Sequence, residues 1–170
     1  SGNALLVYRA GRERGGDDMK KVVVAIDGSE VSKGVIDYAI HYANREKEAE
    51  MLFLHVVEPS EQREIFYRGH VVSVPPSPEE VRAEFEAFIK ARTDAAKKTI
   101  PVMSISLRSG SPYEQIVRFA EEERADIIMI GHRGLGNVQR FFLGSVAAKV
   151  VAHAPCSVYV HRPRKEMAGA

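Results

Sequence analysis

A three-layer α/β sandwich, with a five-stranded parallel sheet between two layers of helices, is predicted by three observations. From residue 20 onward, short apolar runs alternate with longer amphipathic segments, the pattern of repeated βαβ units with right-handed crossovers. The short runs are almost wholly apolar, as strands covered on both faces are, and do not alternate as half-exposed strands do. Two of the longer segments open on the same Ser-Pro-x-Glu helix-start signal, at Ser77 and at Ser111.

Val22 to Ile26 is a β-branched run closed by the turn residues Asp27-Gly28-Ser29, and makes the first strand. Val31 to Glu46 carries Val35, Ile36, Ala39, Ile40 and Ala43 on one helical face. Met51 to Val57 is the second strand, in which His55 reads as a hydrogen-bonded core histidine. Between Glu58 and Ser77 periodicity is lost and Pro59, Pro75 and Pro76 intervene, which predicts a long surface loop with a short helical turn, acting as a lid or a partner surface. The first Ser-Pro signal begins a helix to about Lys98, and Val102 to Leu107 is the third strand. The second signal begins a helix to about Glu123 that buries Ile116, Val117 and Ala120. Ile127 to Ile130 is the fourth strand, Ser145 to His153 a helix stopped by Ala154-Pro155, and Ser157 to Val160 the fifth strand.

The stretch between the fourth strand and its helix carries the chemistry. From Gly131 the spacing is two residues to Gly134, nine residues to Gly144, and then a hydroxyl, Ser145. A glycine-rich turn can turn several backbone N–H groups inward, and the first turn of the following helix adds donors without intrahelical partners. An anion gains there, with only about 0.3–1 kcal/mol from the helix dipole itself, so aligned N–H bonds and Ser145 Oγ must carry the affinity. Each glycine alone could serve only the turn, and Ser145 could merely cap the helix; the set together points to a phosphate. No Lys-Ser/Thr pair follows a glycine, which excludes a Walker A loop, and the glycines come too late and in the wrong order for a Rossmann fingerprint. Asp27 ends the first strand, on the side where open α/β sheets bind ligands.

The 170 residues suit one domain: residues 19–165, preceded by 1–18 as a disordered extension or a segment left by cloning, and followed by a tail, 166–170. With 24 basic against 23 acidic side chains, no global field draws the chain to nucleic acid, and no basic stripe or aromatic platform supports such binding. No apolar run is long enough to insert in a membrane. The single cysteine, Cys156, excludes an internal disulfide and fits a core position in a protein of the cytoplasm.

The spacing G-2x-G-9x-G-S resembles the nucleotide-binding signature of the universal stress protein family. The opening K-K-V-V-V-A-I-D-G-S-E and the closing A-P-C-S-V-Y-V-H-R are similar to its first and last strands, so the resemblance covers Lys20 to Arg162. It implies the sheet order 3-2-1-4-5 of the adenine nucleotide alpha hydrolase-like arrangement, with Asp27 and Gly131 flanking the point where the two halves diverge. It also implies an ATP site. Asp27 would meet base and ribose, Val56 would meet adenine through its backbone, and Ala25 stands where many members have proline. Gly131, Gly134, Gly144, Ser145 and Val146 would hold the phosphates, His132, Arg133 or Arg140 would lie near their charge, and Mg2+ would arrive on the phosphate oxygens. A homodimer through Val158, Tyr159 and Val160 is implied as well. The expected function is that of a cytoplasmic ATP-binding universal stress protein, a nucleotide-responsive regulator with an unidentified protein partner and at most slow ATP hydrolysis, without a catalytic residue to name. The alternatives are a homodimeric interaction module that uses no nucleotide, and a related domain binding FMN or another adenine nucleotide.

Overall fold

The computed structural model describes residues 5–7, 19–133 and 143–163. Its elements are β1 (Leu5–Val7), β2 (Lys20–Ala25), α1 (Glu30–Arg45), β3 (Ala49–Val57), β4 (Arg63–Tyr67), β5 (His70–Val74), α2 (Pro78–Ala96), β6 (Met103–Ser109), α3 (Pro112–Glu122), β7 (Ile127–Gly131), α4 (Ser145–His153) and β8 (Ser157–His161). The main sheet runs β1-β8-β7-β2-β3-β6. Its five parallel strands keep the expected order, with β2 between β3 and β7, and a sixth, antiparallel strand is added at one edge.

Side chains alternate across the sheet because successive Cβ atoms point to opposite faces. Val22 and Val24 pack with Val35, Ile36 and Ile40 of α1 and Val81 and Phe85 of α2. Val23 and Ala25 pack on the other face with Ile116 and Phe119 of α3 and Ala147 and Val150 of α4. Both faces are therefore covered, which is why β2 reads as unbroken apolar sequence. The helix starts follow the signals in part. Ser77 and Glu80 form a reciprocal capping box at α2, while Ser111 makes no side-chain cap bond and α3 begins on Pro112 alone. Gly144, not Ser145, is the N-cap of α4.

Two expectations are corrected. The 58–77 segment is no loop with a helical turn: β4 and β5 pair antiparallel from Arg63↔Val74 to Tyr67↔His70. The hairpin closes through Arg68 and Gly69, both at positive φ (49° and 86°), as a two-residue turn requires. An arginine at such a position is uncommon, so the turn hides in the sequence. Leu5–Val7, expected to lack order with the rest of 1–18, is a strand instead, because β8 offers it an apolar edge. It pairs Leu5↔Val160, Leu6↔Tyr159 and Val7↔Val158, and so occupies the edge expected to pair with a second copy.

Candidate functional site at the divide of the sheet

β2 and β7 lie side by side, and their carboxyl ends open a cleft of about 300 Å³ between α1, α3 and α4. This is the topological switch point of the sheet, where its two halves part. Each wall is set by local chemistry.

On the β2 side, the chain turns through Gly28 at φ 79° and enters α1. Ser29 Oγ accepts from Ser32 N at 3.3 Å and caps the helix, the duty that Asp27 could have had. Asp27 Oδ1 accepts from Ser29 N at 3.0 Å and from Ser32 Oγ at 2.7 Å, and Asp27 N donates to Ser32 Oγ at 3.0 Å. One carboxylate oxygen is thereby spent on fixing the side chain, and Oδ2 is engaged by no described residue. Ala25 and Val56 line the same wall. His55 Nδ1 donates to Ile26 O at 2.9 Å and its ring stacks on Phe85 at 4.2 Å, the core role expected of it.

On the β7 side, the glycines answer first to packing. A Cβ on Gly131 would lie 2.6 Å from Val31 Cγ1, so α1 approaches the strand end only because the side chain is missing. A Cβ on Gly144 would lie 3.0 Å from His132 O, the carbonyl to which Gly144 N donates at 2.7 Å. That contact folds the turn back onto the start of α4. Ala148 N bonds back to Gly144 O, so the amides of Ser145, Val146 and Ala147, residues that line the cleft, have no intrahelical partner. Arg133 lines it too, with Nε donating to His132 Nε2 at 3.0 Å.

His132 departs from its expected place. It is 6% exposed and does not line the cleft. Because Nε2 accepts from Arg133, the proton sits on Nδ1, which is buried with no hydrogen-bond partner among the described residues. Burial first, and the Arg133 charge second, hold its pKa below the ordinary value, so the ring is neutral rather than a cation for phosphate. Gly134 and Arg140 lie outside the described residues.

Of the expected residues, the structure brings together Ala25, Asp27, Val56, Gly131, Arg133, Gly144, Ser145 and Val146 around one cleft. It adds Ser32, Glu58, Glu61, Pro112 and Ile116, none of which the glycine motif indicates. Ser32 was open to detection, since a serine five residues after a strand-ending Asp can reach back to it. Among the described residues, no group of three His, Cys, Asp or Glu could hold a metal, and no helix is long and apolar enough to cross a membrane.

A parallel five-stranded core in this order, with a cleft at the parting of its halves, defines a doubly wound α/β protein with its candidate site at the switch point. The family model of the universal stress protein family matches residues 19–162. The chain belongs to that family. A universal stress protein of Thermus aquaticus is 36% identical over 144 residues, covering 84% of this chain and 98% of its own. Among solved structures, a universal stress protein in complex with cAMP aligns with TM-score 0.60 and 23% identity, over 86% of this chain and 98% of its own. One from Archaeoglobus fulgidus in complex with dAMP gives TM-score 0.54 and 22% identity, over 84% and 98%. At those identities the two structures bear on the fold.

Proposed function

We propose that the cleft binds an adenine nucleotide, ATP with Mg2+ on its phosphate oxygens, and that the protein is a nucleotide-responsive stress regulator of the cytoplasm with at most slow hydrolysis. The observation that carries this reading is the polarity of the cleft: carboxylates at the β2 and β3 ends, free amides and a guanidinium at the β7 and α4 end. A nucleotide has the matching polarity, with amine and hydroxyl donors at one end and anionic oxygens at the other. Its phosphates would lie against Gly131, Arg133, Gly144, Ser145 and Val146, and its base and ribose against Ala25, Asp27 and Val56. The cleft volume falls in the usual range for small-ligand sites. That structural relatives are recorded with cAMP and dAMP supports an adenine nucleotide without choosing its phosphate number.

Asp27 and the α4 amides would orient and neutralise. Of the two residues that could orient an attacking water, His132 does not line the cleft, and Asp27 does, with one of its carboxylate oxygens held by Ser29 and Ser32. A homodimer through Val158, Tyr159 and Val160 requires that Leu5–Val7 leave that edge, and a regulatory protein partner would read the nucleotide state.

Calorimetric titration of nucleotide-stripped protein with Mg-ATP tests the reading. The parent should bind, Asp27→Asn and Arg133→Gln should each weaken binding by about tenfold or about 1.4 kcal/mol, and Mg2+ alone should give no heat. Absence of binding by the stripped parent would overturn it and leave an interaction module.

A further inference from the structure

We propose that the tip of the β4–β5 hairpin is an interfacial membrane contact, which dips between the headgroups of an anionic phospholipid surface. Five of the eight large apolar or aromatic side chains exposed among the described residues fall in its last three cross-strand pairs. Those pairs are Ile65↔Val72, Phe66↔Val71 and Tyr67↔His70. Such a concentration marks an interaction site. The kind of partner follows from how the patch is arranged. Successive side chains alternate across a strand, so Phe66 and Val71 stand on one broad face and Ile65, Tyr67 and Val72 on the other. Both faces are open to water: opposite the exposed Phe66 and Val71, Tyr67 is 56%, Ile65 44% and Val72 39% exposed. A folded partner covers one face of such a ribbon and leaves the other wet. A lipid interface surrounds what enters it and takes both.

The charges complement an anionic surface. From Ile65 to Val74 the hairpin carries Arg68 and His70 and no acidic residue, while Arg63 at its base is already matched by Glu80 and Glu84 of α2. Arg68 occupies the turn, with its guanidinium 5.3 Å from the centre of the Tyr67 ring. From there its charged head can stay among phosphate groups while the ring beside it sinks below them. Aromatic rings favour that zone, Tyr67 with its hydroxyl in particular. The backbone limits the depth. The hairpin is a sheet of two strands, so each strand keeps an outer edge of unpaired N–H and C=O groups, which the hydrocarbon core does not tolerate. Three residue pairs at about 3.3 Å each reach about 10 Å, the depth of the headgroup and upper acyl boundary. Behind them, Glu61 and Glu64 meet an anionic surface with like charge and hold the body of the protein off. The contact is therefore shallow and reversible, far short of a span, and is strengthened by anionic lipid and by low salt.

Co-sedimentation of the full chain with vesicles at low salt tests this, with phosphatidylcholine alone and with phosphatidylcholine mixed with phosphatidylserine. The mixed vesicles should take up the chain with a partition coefficient at least about fivefold above that for phosphatidylcholine alone. The double variant Phe66→Ser/Val71→Ser should lower that coefficient by at least about tenfold. Arg68→Ser should lower it by about fivefold, the share of one cation near the surface. The chain contains no tryptophan, so Phe66→Trp places a single reporter at the tip. Its emission should shift to the blue on mixed vesicles, and lipid brominated near the headgroup end of its acyl chains should quench it more than lipid brominated near the methyl end. The proposal is overturned if the intact chain does not bind the mixed vesicles, or if the double variant binds them as well as the parent does. It is overturned equally if the tip holds two copies together instead, seen in sedimentation velocity as a dimer that the double variant loses, with no uptake by vesicles.

Discussion

Two segments leave the same rim of the sheet and are built on opposite principles. The turn after β7 folds inward: Gly131 lies against Val31 of α1, Gly144 against His132, and the start of α4 closes over both. The hairpin after β3 stands outward. Phe66 is 77% and Val71 65% exposed, directly opposite each other in the ladder, and among the described residues its base is tied to α2 by Arg63, to Glu84 at 2.8 Å and Glu80 at 3.8 Å. Glycine in the first segment marks close contact; in the second, at Gly69, it marks backbone shape with nothing within 4 Å. The lesson is that the same residue type answers two different demands, and only the surroundings separate them.

Substitution separates the demands directly. Gly131→Ala should be the most damaging change, about 1–3 kcal/mol by urea unfolding, because the new methyl overlaps Val31. The double variant with Val31→Ala should recover part of that loss. Gly69→Ala should cost about 1 kcal/mol, all of it backbone strain at φ 86°, and no neighbouring substitution should relieve it. A rescue of Gly69→Ala by trimming a side chain would break the distinction.

Acidification should act on the inward turn, with a smaller effect again. His132 and His161 are both held below the ordinary value of 6.5, chiefly by burial. The unfolded chain takes up protons near that value while the folded chain resists, so the folded state binds fewer protons there. Stability is therefore full above pH 6.5 and falls as pH drops through the lower folded values. Thermal melts at stepped pH check this, and His161→Gln should flatten part of the slope. Smallest of all, Phe66→Ser should change stability by no more than about 0.5 kcal/mol, since the ring buries little, while reducing any association through the hairpin seen by light scattering.

Much of this was legible in the sequence, for physical reasons. Strands covered on both faces cannot alternate, so Val22–Ile26 and Ile127–Ile130 announce a parallel sheet, and the glycine spacing marks the end of β7 where the cleft lies. The hairpin was not legible, because its apolar side chains face water on both sides and give neither the alternation of a half-buried strand nor the brevity of a buried one. β1 was missed for another reason: Leu5–Val7 is too short to signal a strand and is ordered only by the edge it meets. Within the site, Asp27 could be named from its place at the end of the first strand and Gly144 from spacing, whereas the burial of His132 away from the cleft could not. There Arg133 bonds to its ring, a contact that nothing in the spacing announces.

The pairing of β2 with β7 also fixes an order of events. Val22 sits beside Ile127, and Lys21 N donates to Asp126 Oδ2 across 105 positions of sequence. While the chain is being synthesised, β2, α1, β3 and β6 can assemble early, but β2 must wait about a hundred residues for its second neighbour. Through that interval its apolar edge is open to other nascent chains, and the half-made cleft has one wall. The site therefore comes into being only when the last quarter of the chain arrives, and a ribosome stalled before β7 would release a product that can neither bind nor close its core.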